Sequence, residues 1–194
     1  MIGVLALQGD YSKHLEILEK LKISSCEIRY PHQLNEINGL IIPGGESTTM
    51  TDLIERNDLH NNIITFSNKN PILGTCAGLI MMSRSVNDTR VKSLNILDIE
   101  VDRNAYGRQV NSFRDELSVS ISGKVENISA TFIRAPKINR MGRDIEIISS
   151  YNNEPVAIKQ GIHVGLAFHP ELDGVTLFHE YTFVKQFNEK SHAA

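Results

Sequence analysis

Apolar positions along the chain fall into short unbroken runs separated by stretches of helical spacing. "IGVLAL" (2–7) predicts a buried strand. "YSKHLEILEKLK" (11–22) predicts a helix with Leu15, Leu18 and Leu21 on one face, and Asp10 or Ser12 stands where a cap belongs. "CEIRYP" (26–31) predicts a second strand, ended by Pro31, and "GLIIPGG" (39–45) a third. "STTMTDLIERNDL" (47–59) follows as a helix, capped by Ser47 or Thr48. "NPILGT" (70–75) is a fourth strand, and "AGLIMMS" (77–83) opens another helix. Strands without polar alternation, in rotation with helices, predict a mostly parallel sheet covered on both faces.

The second half changes style. "LNILDIEVDRN", "LSVSIS", "NISATFIRAP", "DIEIISSYNNEPVAIKQG" and "HVGLAFHPE" predict strands and turns, with a hairpin at Asn152-Asn153. The final "VTLFHEYTFVKQFNEK" predicts a helix with Leu177, Tyr181, Val184 and Phe187 facing inward. No linker, repeat or low-complexity segment divides residues 1–194, so one α/β domain with a β-rich second half is expected.

Composition adds boundaries. A formal charge of −3 gives no basic footprint for nucleic acid. No window reaches the ~18 apolar residues of a membrane span. The apolar start is too brief for a signal peptide and lacks a cationic lead. Two cysteines, Cys26 and Cys76, are therefore expected as free thiols in the cytoplasm.

Candidate chemistry centres on "PILGTCAGLI" (71–80). Gly74 and Gly78 flank Cys76 at minus two and plus two, the spacing of a nucleophile elbow between strand and helix. Small neighbours let the helix start fold against the strand and expose the sulfur at the sheet's carboxyl edge, where open α/β folds bind ligands. A structural cysteine at a glycine turn would look the same in isolation. A nucleophile also needs a base and a group to orient it. Of seven histidines, His14 and His179 fall on predicted helices among charged residues, His32 and His60 near turns, and His192 in the tail. His163 starts a strand with no carboxylate at matching spacing. His169 ends a strand with Glu171 two residues on, so extended backbone would aim both at one site. "LIIPGGESTT" also runs strand, glycines, helix, without the Lys of a P-loop. Gly44 and Gly45 free its backbone N–H groups to face the same edge.

In combination these stretches resemble the class I glutamine amidotransferases. "PGGES", "GTCAGL" and "FHPE" carry the resemblance, and Ile80 stands where many members have Gln. "LALQGD", "PGGESTTM", "GTCAGLI", "RNAYGRQVNSF", "FIRAP" and "FHPEL" narrow it: the set is similar to the glutaminases that serve pyridoxal 5′-phosphate synthases. The resemblance covers essentially the whole chain. It implies a three-layer α/β/α, flavodoxin-like sandwich and a Cys76–His169–Glu171 triad. It further implies an oxyanion hole from Gly45 and Ala77, and L-glutamine held by Gly45, Glu46, Ser47, Arg103, Ile133 and Arg134. Either arginine could instead brace a loop, and Arg108 and Arg140 read as surface residues. No cofactor or metal is implied. The implied partner is a (β/α)₈-barrel synthase subunit in a large assembly, whose docking would order the Gln8 region or the Gly45 loop. Competing readings are a glutaminase for another synthase, a γ-glutamyl hydrolase, a cysteine peptidase and a non-enzymatic flavodoxin-like module.

Overall fold

A computed structural model describes residues 1–103 and 112–185. Most of "RNAYGRQVNSF", with Arg108, and the end of the chain, with Phe187 and His192, lie outside the described residues. The strands β1 (Ile2–Leu5), β2 (Ser25–Ile28), β3 (Gly39–Ile42) and β4 (Ile72–Thr75) fall on the predicted apolar runs. Every residue of β1, β3 and β4 is buried, as central parallel strands covered on both faces require. Helices α1 (Tyr11–Lys20), α2 (Ser47–Arg56), α3 (His60–Ser67) and α4 (Ala77–Met82) connect and cover them. β5 (Ser83–Val86) and β6 (Leu97–Asp102) follow, then β7 (Ser112–Ile121), β8 (Lys124–Ile133), β9 (Lys137–Met141), β10 (Glu146–Tyr151), β11 (Glu154–Gln160) and β12 (His163–Leu166).

The main sheet runs β10-β11-β12-β4-β3-β1-β2. The pairings from β12 to β2 are all parallel, and β11 and β10 extend the edge antiparallel. The β-rich second half is thus spent on that edge, on a small β5-β6-β9 sheet and on the long β7-β8 hairpin. Asn152 and Asn153 turn β10 into β11 with φ of 50° and 65°, the left-handed pair of a tight hairpin. Phe132 on β8 packs on Phe168, and Phe168 on Phe178, each at 5.6 Å between ring centroids. Those contacts fasten the hairpin to the chain leaving β12.

Several expectations need correction. α2 is capped by the Glu46 side chain, which accepts from the N–H groups of Thr48 and Thr49; neither Ser47 nor Thr48 caps it. Asp10 precedes α1 but makes no side-chain cap. The "AGLIMMS" helix lasts six residues before the chain enters β5. α3, unread in the sequence, has a weak amphipathic pattern and three buried residues. The last helix, α5 (Leu177–Glu180), passes into a π-type turn over Tyr181–Lys185. The wider turn shifts the phase, so Phe178 and Phe183, five apart, are buried while Val184 is exposed. A strict 3.6-residue period had placed Val184 inside.

Candidate active site

β4 ends at Thr75 and α4 begins at Ala77, leaving Cys76 alone to turn the chain. It does so with φ 49° and ψ −102°, a conformation that costs about 1–3 kcal/mol for a residue with a side chain. Hydrogen bonds hold the strain: Cys76 N–H donates to the Leu166 carbonyl at 2.8 Å, and Ile80 N–H to the Cys76 carbonyl at 3.2 Å. The flanking glycines are required by contact. A Cβ on Gly78 would lie 2.0 Å from the Ile42 carbonyl oxygen, and one on Gly74 2.5 Å from Met82 Sδ. The G-x-C-x-G spacing thus measures how tightly α4 seats on β3 and β4.

β12 lies beside β4 and carries the chain through buried Ala167 and Phe168 to His169. There His169 N–H donates to the Thr131 carbonyl of β8 at 2.9 Å. Past His169 the backbone turns, with Val175 N–H donating to the Pro170 carbonyl at 3.0 Å. This turn, in place of the expected extended segment, brings Glu171 back beneath the ring. His169 Nδ1–H donates to Glu171 Oε1 at 2.7 Å, and both residues are buried. A carboxylate only accepts, so Nδ1 carries the proton and Nε2 is left for Cys76. Burial alone would lower the His169 pKa. The hydrogen bond to Cys76, then that to Glu171, and the charges of both outweigh burial and raise it to about 10. The ring is therefore held protonated beside the sulfur, which itself lies 3.6 Å from the Ile133 carbonyl. α4 is too short to add much dipole to that.

Cys26 contrasts at every point. It lies half-buried on β2, along an open groove lined by α1 residues. Burial, then the Glu36 charge, pushes its thiol up.

The Gly44–Gly45 loop emerges beside the elbow, as expected. His169 packs so closely on Gly44 that a Cβ there would lie 2.3 Å from its Cε1. Gln8 braces the loop twice: its Nε2–H donates to the Glu46 carbonyl at 3.3 Å, and Glu46 N–H donates to its Oε1 at 3.2 Å. Between these elements opens a cavity of about 170 Å³. Cys76, His169, Gly45, Glu46, Ser47, Arg103, Ile133 and Arg134 all line it, together with Asp10 and Ile80. Ile80 thus occupies the pocket wall.

The two arginines differ. Arg103 donates from Nη2 to Glu46 Oε1 at 2.7 Å and from Nη1 to Asp88 Oδ2 at 2.6 Å, so it braces the loop. Burial opposes ionisation of Glu46, but hydrogen bonds from Thr48 and Thr49 hold its carboxyl at about 2. Arg134, on left-handed backbone with φ 44°, is exposed and makes no side-chain hydrogen bond or ion pair to another described residue. Asp10 is the other charged lining residue of which this is true.

Two histidines lie on helices as the sequence placed them, but turned inward rather than toward solvent. His14 and His179 are both 0% exposed, and meet beneath Glu171. Among the described residues, no helix is long and apolar enough to cross a membrane.

An elbow cysteine, a histidine and a carboxylate at the mouth of a doubly covered parallel sheet define a glutamine amidotransferase of the class I fold. A family model described as the SNO glutamine amidotransferase family matches residues 4–189, and the chain belongs to that family. It is 46% identical over 184 residues to the pyridoxal 5′-phosphate synthase subunit PdxT of Oenococcus oeni, covering 95% of each chain. To the PdxT of Shouchella clausii it is 44% identical, covering 98% of this chain and 96% of that one. A solved structure titled as a glutamine amidotransferase matches with a TM-score of 0.88 at 35% identity, covering 93% of this chain and 96% of that one.

Proposed function

We propose that this chain is the glutaminase subunit of a pyridoxal 5′-phosphate synthase, acting in the cytoplasm as one domain of residues 1–194. It hydrolyses L-glutamine to L-glutamate and ammonia, and delivers the ammonia to a (β/α)₈-barrel synthase subunit. The observation that carries the reading is that Cys76 and His169, the latter held from beneath by Glu171, line one cavity with all six residues expected to hold glutamine. The small cavity suits a free amino acid better than an extended peptide.

The Cys76 thiolate attacks the side-chain amide carbon, and the oxyanion is received by the N–H groups of Gly45 and Ala77. The His169 imidazolium protonates the amide nitrogen, the carbon–nitrogen bond breaks, and ammonia leaves a glutamyl thioester. Once the thiolate is consumed, one of the interactions that raised the His169 pKa is gone, so the ring yields its proton readily. Neutral His169 then takes a proton from water. The resulting hydroxide attacks the thioester, and Cys76 departs as thiolate. Glu171 holds the ring through both steps.

Arg134 is the group for the glutamine α-carboxylate, because Arg103 is already committed to Glu46 and Asp88. Arg134→Ala is expected to raise KM about 10- to 100-fold with kcat little changed. Lysine there is expected to restore only part of the loss, since it lacks the planar fork. A larger effect on kcat than on KM in steady-state assays would refute this assignment.

Gln8 links the loop after β1 to the Gly45 loop, so contact at either is transmitted to both. Docking of the synthase is expected to raise glutaminase kcat about 5- to 150-fold. The assay is glutamine hydrolysis with amide-labelled substrate, with and without the barrel subunit, following label into ammonia and pyridoxal phosphate. Equal rates in both arms would reject partner activation. Label absent from the product, with ammonia still released, would reject this synthase as the acceptor.

A further inference from the structure

Glu171 accepts from His169 through one oxygen only. Its other oxygen, Oε2, is buried and has no hydrogen-bond partner within bonding distance among the described residues. The nearest cationic or donor nitrogen recorded there is His14 Nε2 at 3.6 Å, slightly longer than a hydrogen bond. The same nitrogen lies 3.2 Å from Thr75 Oγ1, on the residue before Cys76. The other nitrogen of His14, Nδ1, lies 2.9 Å from His179 Nε2. A buried chain thus runs from α5 through α1 to the underside of the site.

We propose that His14 is a positioning residue for the Cys76–His169 pair, acting through Glu171, and that His179 fixes its tautomer. The proposal rests on the glutaminase reading of this site.

The direction of the chain follows from which groups can accept. A lone pair on His14 Nε2 would face a carboxylate oxygen, so that nitrogen carries the proton. Burial, then the neighbouring His179 and His169, holds the His14 pKa well below its ordinary value, so the ring is neutral and Nδ1 is a bare acceptor. His179 must then donate from Nε2. Its own Nδ1 becomes an acceptor, and it is indeed buried without a partner among the described residues. An empty lone pair is the cheaper orphan, because an N–H would lose a full donor. Both hydrogens thus run toward the underside of the site, where His14 Nε2–H meets Thr75 Oγ1 at 3.2 Å and faces Glu171 Oε2 at 3.6 Å. The groups around His14 come from separate elements: Thr75 from β4, Glu171 from the turn after His169, His179 from α5. An N–H beneath Oε2 keeps the carboxylate from rotating away from His169, and so keeps Nε2 of His169 on the sulfur.

The test compares two polar replacements. In His14→Gln the amide nitrogen reaches the position of Nε2; in His14→Asn it stops near Nδ1. His14→Gln is expected to keep kcat within about twofold of the parent. His14→Asn is expected to lose about tenfold in kcat at unchanged KM, because the buried carboxylate oxygen loses the N–H dipole that faces it at 3.6 Å in a low-dielectric site. Both are assayed for glutamine hydrolysis with the synthase subunit, after thermal unfolding shows them folded. A second arm measures alkylation of Cys76 by iodoacetamide at pH 6, resolved from Cys26 by mass spectrometry. There the parent and His14→Gln are expected to react about tenfold faster than His14→Asn, because only an ion-paired thiolate reacts at that pH. Equal behaviour of the two variants in both arms overturns the proposal. Absence of glutamine hydrolysis by the parent complex overturns the glutaminase reading instead, and the alkylation arm still decides the role of His14.

Discussion

Cys76→Ala is expected to abolish ammonia release in the complex with the synthase subunit, lowering kcat by about 10⁵- to 10⁶-fold. The size follows from the chemistry. Without the sulfur there is no nucleophile and no covalent intermediate, and His169 keeps only Glu171 of the two partners that raise its pKa. The backbone should not change. The elbow's shape is imposed by its hydrogen bonds to Leu166 and Ile80 and by Gly78 lying against Ile42, none of which involves the sulfur. Alanine meets the same unfavourable φ of 49° as cysteine does. Glutamine should therefore still bind, with a calorimetric Kd near the parent KM. Cys26→Ala, on β2 and away from the cavity, is the matched control and should retain full activity. Gly78→Ala separates elbow from sulfur: its Cβ would sit 2.0 Å from the Ile42 carbonyl, so the turn must shift with the thiol still present. Residual turnover by Cys76→Ala above about a thousandth of the parent would mean that another group performs the attack.

Cys76→Ala and Gly78→Ala also separate what the sequence encodes locally from what it does not. The elbow was legible because its requirement is short-range: small residues two positions either side of a nucleophile, between an apolar strand and a helix. β1, β3 and β4 were legible because a strand buried on both faces leaves no polar alternation. His169 and Glu171 were found by their spacing, although the predicted extended backbone is in fact a turn. The cap of α2 was missed because Ser47 and Thr48 are the residue types that usually cap, whereas Glu46 does so here while also pairing with Arg103, a contact far away in sequence. His14 did carry a signal. It lies one helical turn before Leu18, on the buried stripe of α1 with Ile17, but its charged neighbours Lys13 and Glu16 obscured the pattern. His179 carried less, because the π-type turn after α5 breaks the period from which its facing would be read.

The buried histidines also set how the protein responds to acid. Below pH 6.5 its stability is expected to fall by up to about 4 kcal/mol for each pH unit, from three protons at about 1.4 each. Burial lowers the His163 pKa to about 4 and that of His179 to about 3, and holds His14 well below 6.5. In the unfolded chain all three take up a proton near pH 6.5. Between that point and the lower folded values the unfolded state binds more protons, so acid favours it. Contacts explain why the folded rings refuse the proton. His163 Nδ1 accepts from Ile72 N–H at 3.2 Å, and a protonated ring would set N–H against N–H. A charge on either His14 or His179 would likewise spoil the 2.9 Å bond between them once both carried protons. Set against a total stability of about 5–15 kcal/mol, such a slope removes the stability of a chain at the lower end of that range within about two pH units below 6.5, and it flattens once the pH falls past the folded values. Urea unfolding at pH 7, 6 and 5 should show the midpoint dropping steeply. His163→Gln, whose amide can accept from Ile72 and donate to the Ser67 carbonyl that His163 faces, should flatten the slope by one proton. A midpoint unchanged between pH 7 and 5 would mean that these rings are charged in the folded state.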